Sequence, residues 1–375
     1  MGFTLNGITV TGGVTFQAAA AGPAAGGLWS WGRNDFGQLG LGNQVYYSSP
    51  KQVGALTTWS KVSGGERSSA AIKTDGTLWA WGRNGSGQLG LGNTTYYSSP
   101  KQVGALTTWQ QVSCGRNHTA AVKTDGTLWT WGSNATFGEL GLGNTTAYSS
   151  PKQVGALTTW LQAAAGAYYT MAIRTDGTLW AWGKNSSGQL GLGNTTSYSS
   201  PKQVGSGTTW SKVSVGYQHT MAIKTDGTLW AWGDNQRGEL GIGNATRYSS
   251  PVQVGALTTW LQVTCGRYHT AAVRTDGTLW TWGQNDSGQL GLGDTTNRNS
   301  PVQVGALTTW LQASAGMYFT MATQTNGTLW TWGSNSSGQL GLGNTTNRSS
   351  PTQVGALTTW SSASAGGYHG LATRS

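Results

Sequence analysis

The chain has 375 residues, of which only 9% are charged and 60 are glycine, with a formal net charge of +10. Low charge and abundant glycine suit a low-complexity chain, but 21 tryptophans and 13 tyrosines exclude one, because aromatics supply the buried area that disordered segments lack. No apolar run approaches the ~20 residues of a membrane span, and the basic excess is spread out instead of gathered into a tract.

Residues 1–25 come first and differ in pattern from the rest of the chain. Phe3 to Phe16 alternates apolar and polar residues, with Asn6-Gly7 and Gly12-Gly13 as turn signals, so a short hairpin is expected. Gln17 to Gly26, rich in alanine, reads as a linker. A lone hairpin is marginal in water, so this segment is expected to pair with another chain or with the body of the protein. It has no basic start and no continuous apolar stretch, so a secretory signal is not expected.

From Trp29 onward one unit recurs. Its marker is a tryptophan pair at i and i+2: Trp29/Trp31, Trp79/Trp81, Trp129/Trp131, Trp180/Trp182, Trp230/Trp232, Trp280/Trp282 and Trp330/Trp332. The second tryptophan advances by 50 residues at each step, except one step of 51. A fixed period of this size means one supersecondary unit stacked on its own copies, hence one body in spite of the length. Trp59, Trp109, Trp160, Trp210, Trp260, Trp310 and Trp360 share a further position, which leaves no tryptophan outside the repeat. Within a unit, four short β-branched or aromatic stretches are separated by glycine-containing turns. Asp125-Gly126 is a hairpin signal, repeated at Asp75, Asp176, Asp226 and Asp276 and replaced by Asn326 in one copy. Tryptophans two apart on a strand face the same way.

Four strands of ~5–6 residues with their turns fill the period and make one propeller blade. The first unit lacks its two leading strands, and the last stops before its tryptophan pair. These halves complete each other. The expected fold is all-β: a seven-bladed β-propeller over 26–375, closed by pairing the N- and C-terminal strands in one composite blade. Residues 1–25 are the expected anchoring segment. Closure removes the strand edges that an open array would expose.

Lys73, Lys123, Arg174, Lys224, Arg274 and Arg374 occupy one register, and Lys51, Lys101, Lys152 and Lys202 another. The plainer reading is a solvated rim of spaced charges; the sharper one is an anionic partner, with nucleic acid not expected. Cys114 and Cys265 share a position three units apart, too far for a disulfide in a ring, and read as small buried thiols. His118, His219, His269 and His369 share a position held elsewhere by Ser68, Tyr169 and Phe319. A slot that accepts phenylalanine points to packing. No metal-ligand spacing, nucleophile elbow or phosphate-binding ending occurs, so neither a metal nor a cofactor is expected. Glycan cleavage needs paired carboxylates, and Glu66, Glu139, Glu239 and Asp234 form no evident pair.

The copies differ mainly on one side. In an antiparallel blade the loops after the first and third strands emerge together. The opposite connections, Lys/Arg-Thr-Asp-Gly-Thr and Val-Gly-Ala-Leu-Thr-Thr-Trp, repeat almost verbatim. The first loops instead carry Arg67, Arg116, Tyr168, Tyr217, Arg267, Tyr268, Tyr318 and Tyr368, and the second loops carry Tyr47, Tyr97 and Arg247. Tyrosine and arginine bury much area and still offer polar atoms, so these eleven residues are the candidate ligand- or partner-binding set. No catalytic residue is assigned.

The run from Val112 to Gly126, with Trp131-Gly132, Gly138-Glu-Leu-Gly-Leu-Gly143 and Pro151, resembles the blade signature of the regulator of chromosome condensation repeat family. The resemblance covers about 26–375 and implies a seven-bladed propeller without implying one function. The opening of residues 1–25 resembles the short anchoring starts of phage virion proteins that carry a propeller after a linker, which implies docking on other virion proteins. The expected function is a non-enzymatic structural or binding protein, a tail or capsid-surface component of a phage virion. It would present the variable loops to a host-surface glycan or protein, and the expected location is the virion surface, with bacterial cytoplasm or secretion as alternatives. Two other functions stay open. One is a guanine-nucleotide exchange factor for a small GTPase, which the family's eukaryotic namesake implies, although no blade insertion here exceeds the one residue around Ala135-Thr136-Phe137. The other is a protein inhibitor of a bacterial enzyme.

Overall fold

The computed structural model describes residues 26–374; the expected anchor and linker of residues 1–25 lie outside the described residues. Within them are 28 strands, numbered β1 to β28, arranged as seven four-stranded antiparallel sheets, and no helix. β3 (Trp59–Gly64), β4 (Ser68–Lys73), β5 (Leu78–Gly82) and β6 (Tyr97–Gln102) make one whole blade in that spatial order. The fold class expected from the repeat is the one observed.

The β4–β5 hairpin shows why the sequence repeats so closely. The Asp75 carboxylate accepts from the Thr77 amide at 2.9 Å and the Thr77 hydroxyl at 2.6 Å. The Trp79 indole N–H donates to that hydroxyl at 2.9 Å. Aspartate, threonine and tryptophan therefore form one relay that sets the turn and orients the ring. Gly76 has φ of 76°, and a Cβ there would lie 2.0 Å from the Thr107 carbonyl oxygen of the next connection. Only glycine meets both demands.

Each blade turns its tryptophan side to the preceding blade and its smaller side to the next. Trp79 and Trp81 pack with Trp59 against Leu28, Val53 and Leu371. Leu78 and Ala80 on the same strand meet Trp109 and Trp131 of the following blade. Seven such clusters, one per blade interface, make the core among the described residues. Trp59 stands edge-on to both Trp79 and Trp81, each at 6.2 Å between ring centroids, a favoured aromatic geometry. Trp81 is fully buried, and its Nε1–H donates to the Gln38 carbonyl of the preceding blade at 2.9 Å. The same clasp joins Trp131 to Gln88, Trp182 to Glu139, Trp232 to Gln189, Trp282 to Glu239 and Trp332 to Gln289.

Trp31 reaches the Gln339 carbonyl at 2.9 Å, carrying this clasp across the ends of the chain. The composite blade has the order β2 (Tyr47–Gln52), β1 (Gly27–Gly32), β28 (His369–Arg374), β27 (Trp360–Ala365). β1 and β28 pair without interruption from Gly27↔Arg374 to Gly32↔His369. β27 lies beside β3, so the ring of innermost strands is closed.

One expectation holds in part. Lys51, Lys101, Lys152 and Lys202 are exposed, as in a solvated rim, whereas Lys73 and Lys224 are half-buried and Lys123 is buried. Lys73, Lys123 and Lys224 hold their ammonium groups 3.8, 3.8 and 4.0 Å from the ring centroids of Trp79, Trp129 and Trp230. Lys51, Lys101, Lys152 and Lys202 lie 5.2 to 5.6 Å over Tyr47, Tyr97, Tyr148 and Tyr198. The periodic charges are partners of periodic aromatic faces.

Candidate functional site

The innermost strands run toward the variable side and end at a central channel. Its mouth, about 140 Å³, is lined by the last residues of these strands, by the glycines after them and by the first variable residue of each loop. Those first residues are Glu66, Arg116, Ala167, Tyr217, Arg267, Met317 and Gly367. Small residues at the strand ends, such as Gly64, Ala165 and Ala315, leave room for a channel, and the loop residues form a collar above it.

The collar is joined by contacts between blades. The Arg116 Nε lies 2.9 Å from a Glu66 carboxylate oxygen, and its terminal N–H donates to the hydroxyls of Tyr168 and of Tyr217, the latter at 2.9 Å. Tyr168 meets Tyr217 at 6.0 Å between centroids, and Tyr217 meets Tyr268 at 5.9 Å. The Arg267 guanidinium sits 4.9, 5.0 and 5.4 Å from the rings of Tyr217, Tyr268 and Tyr318, and donates to the Tyr318 hydroxyl. Tyr318 in turn meets Tyr368 at 6.4 Å. These side chains are half-buried and ordered by each other, and Glu66, Arg116, Tyr217 and Arg267 line the channel mouth itself. Arg116 has Glu66 as its counter-ion. For Arg267, no ion pair with a carboxylate is seen among the described residues.

Of the eleven residues expected from sequence, Arg116, Tyr168, Tyr217, Arg267, Tyr268, Tyr318 and Tyr368 come together here. Arg67 continues the collar by stacking 5.2 Å over Phe36. Tyr47 and Tyr97 sit instead on the outer strands, with their hydroxyls against Asn43 and Asn93 and their rings under lysines. Arg247 is tied to Asp234 at 2.6 Å, outside the cluster.

Sequence reasoning missed a third ring. Arg33 lies 5.3 Å over Tyr368, Lys184 lies 5.3 Å over Tyr168, and Arg237 lies 4.4 Å over Tyr268. Phe36 and Phe137 add apolar walls, Phe137 at 5.9 Å from Tyr168. For Arg33 and Lys184 a signal exists: the residue after each Trp-Gly varies as Arg33, Arg83, Ser133, Lys184, Asp234, Gln284 and Ser334. It is inconspicuous because it sits at a strand end, beside the most constant motif of the repeat.

The family model described as RCC1-like domain matches residues 144–375, more than half of the chain. The chain belongs to the RCC1-like domain family. Models of the regulator of chromosome condensation (RCC1) repeat also match residues 25–72 and 75–122, and residues 59–88 and 109–139. No curated protein matches the sequence. Among solved structures, human WBSCR16 is similar at 21% identity, with 93% of this chain and 98% of that chain covered and a TM-score of 0.83. Prp20p of Saccharomyces cerevisiae, described for its binding to Gsp1p and histones, is similar at 19% identity, with 93% and 91% covered and a TM-score of 0.83. The yeast protein bound to Kap60 gives 18% identity, with 100% and 97% covered and a TM-score of 0.82. At these identities the likeness is one of fold.

In this RCC1-like propeller the four histidines lie beneath the collar and belong to the blade joints. His118 Nε2 lies 2.9 Å from the Thr170 hydroxyl of the next blade, and that hydroxyl donates to the Glu139 carbonyl at 2.8 Å. The threonine proton is thus committed, so Nε2 carries the imidazole hydrogen and Nδ1 is the bare nitrogen. His219, His269 and His369 repeat this against Thr270, Thr320 and Ser69. Burial lowers their pKa values to about 4, 3, 3 and 4 in chain order, so all four are neutral. Burial also pushes the Cys114 and Cys265 thiols up to about 11 and 12, which leaves them protonated and unreactive at the channel wall. Glu239, like Glu139, stands where five blades have glutamine; it is fully buried, and burial raises its carboxyl to about 7. No cluster of metal-binding side chains occurs among the described residues.

Proposed function

We propose that this protein is a non-enzymatic protein-binding propeller that receives its partner on the collar. The observation that carries this reading is Arg267, a cation held in place by three tyrosines and lacking a carboxylate counter-ion among the described residues. Such a group is pre-ordered to accept an acidic side chain. Tyrosine and arginine at the centre of a patch supply much of the energy of protein recognition. The test is recovery of a partner with the wild-type protein, with Arg267→Ala and with Leu106→Ser on the opposite side. Binding lost in the first variant and kept in the second supports the collar; equal recovery from all three sinks it.

Two partner classes have separate support. A small GTPase, with this chain as its exchange factor, is favoured by likeness to Prp20p, whose description names Gsp1p. Release of a fluorescent guanine nucleotide from purified Gsp1p tests it: acceleration supports exchange, and an unchanged rate removes that reading. Display on a phage virion rests on the opening of residues 1–25 alone. Mass spectrometry of purified particles decides it by the presence or absence of this chain.

A further inference from the structure

Three tryptophans occur in each unit, and they differ in how their indole N–H is satisfied. Trp79 donates to Thr77, a bond repeated by Trp129, Trp180, Trp230, Trp280 and Trp330, and Trp81 donates to Gln38, a bond repeated in every blade. The third, at the start of the innermost strand, does not. Trp59, Trp109, Trp160, Trp260, Trp310 and Trp360 are only 2 to 4% exposed, and the Nε1–H of each finds no acceptor in the protein. An unpaired buried donor is rare in folded proteins. Six in equivalent places are a property of the design, not an accident of one blade.

Four of these tryptophans, Trp59, Trp109, Trp260 and Trp360, line a groove between blades. The groove at Trp59 is walled by Trp79, Leu56 and Pro100, with Gln52 and Ser99 on its rim, and has a volume of 380 Å³. Equivalent grooves at Trp109, Trp260 and Trp360 have volumes of 370, 500 and 340 Å³. These fall within the roughly 300–1,000 Å³ of small-molecule sites. The leucine is a cover for the donor: where Gly207 stands in its place, a Cβ would lie 3.7 Å from the Trp210 Nε1. That tryptophan is also the most exposed of its set, at 6%. Leu56, Leu106, Leu257 and Leu357 are themselves 41 to 49% exposed, so they can swing aside.

Indole and proline walls suit an apolar face, while an amide, a hydroxyl and a waiting N–H suit hydroxyl oxygens. No carboxylate lines any of the four grooves. One ligand class offers a C–H face and a ring of hydroxyls at once. We infer that the grooves between blades are saccharide-binding sites, repeated around the ring and separate from the collar. Equivalent sites on a rigid body reinforce one another on a repetitive glycan, so weak single sites give strong multivalent attachment.

The test uses the full chain labelled with ¹⁵N in its indoles, titrated with methyl α-glucopyranoside, methyl β-galactopyranoside and N-acetylglucosamine. At least one sugar is expected to shift the indole N–H resonances of Trp59, Trp109, Trp260 and Trp360 while those of Trp81 and Trp131 stay still. Ser99→Phe fills one groove and is expected to abolish the Trp59 shift alone. Gln52→Ala, an exposed rim change, is the second variant if the first does not fold, and is expected to weaken the Trp59 titration alone. Arg267→Ala on the collar is expected to change none of these shifts, so this result stands or falls apart from the protein-binding reading. The inference is overturned if none of the three sugars moves the four resonances, or if the Trp59 response survives both groove variants unchanged.

Discussion

His118, His219, His269 and His369 each place a neutral imidazole in a blade joint, with Nδ1 buried and bare. Protonation there would bury a charge and an unpaired donor together. The unfolded chain carries ordinary histidines that take up protons near pH 6.5, whereas the folded ones wait until about pH 3 to 4. Above pH 6.5 both states are neutral and the histidines leave stability unchanged. Below it, the unfolded state binds more protons, so each histidine costs about 1.4 kcal/mol per pH unit until the folded value is reached. Urea unfolding between about pH 7.5 and pH 5 is expected to show this loss. His269→Phe, which copies the natural Phe319, is expected to make the pH dependence shallower; an unchanged slope would refute it. In the collar, Arg267→Ala removes contacts between half-buried side chains and none from the core. It is expected to cost no more than about 2 kcal/mol of stability, checked by the same denaturation, while recovery of the collar partner falls.

At the scale of the element, the hairpin and the connection between blades both use glycine with positive φ, yet for different reasons. Gly54 has φ of 62° with nothing within 4 Å of an added Cβ, while Gly76 would meet the Thr107 carbonyl at 2.0 Å. Gly54→Ala is expected to cost about 1–2 kcal/mol, the price of a left-handed residue alone. Gly76→Ala is expected to cost several times more, because turn and neighbouring connection must both move. Equal denaturation midpoints for the two variants would contradict this. The strands themselves were legible in sequence, since the tryptophan pair, the Asp-Gly turn and the period act locally. The collar was only partly legible. Arg116, Tyr168 and Arg267 stand out as loop residues that break the repeat, whereas Arg33, Lys184 and Arg237 reach the same place from a different loop of the blade. Tyr47 and Tyr97 looked equivalent to them, and only strand order shows that they lie on the outer edge.

For the whole molecule, closure means that every blade has two neighbours. Removing residues 358–375 takes away β27 and β28 and leaves β1 without its long partner strand. Leu28 and Trp31, both fully buried, then lose part of their cover. The truncated chain is expected to lose its near-ultraviolet circular dichroism and to aggregate on size-exclusion chromatography; a monomer with an intact spectrum would show that closure is dispensable. Closure was legible from the half-units at the two ends, because a missing strand pair is visible as a gap in the repeat. The unsatisfied indoles of the inner strands were not, because all three tryptophans of a unit look alike until each donor is traced to its acceptor.

The joint between β1 and β28 has one more consequence. Nothing in its bonds records that both strands come from the same molecule. A terminal hairpin lent by a second copy would meet the same edge, the same register and the same tryptophan clasp. Only the tether through the other six blades favours the intramolecular match, by keeping the two ends at high local concentration. Refolding from dense solution is therefore the condition under which these rings would interlink by hairpin exchange, and dilute refolding the condition under which they stay single.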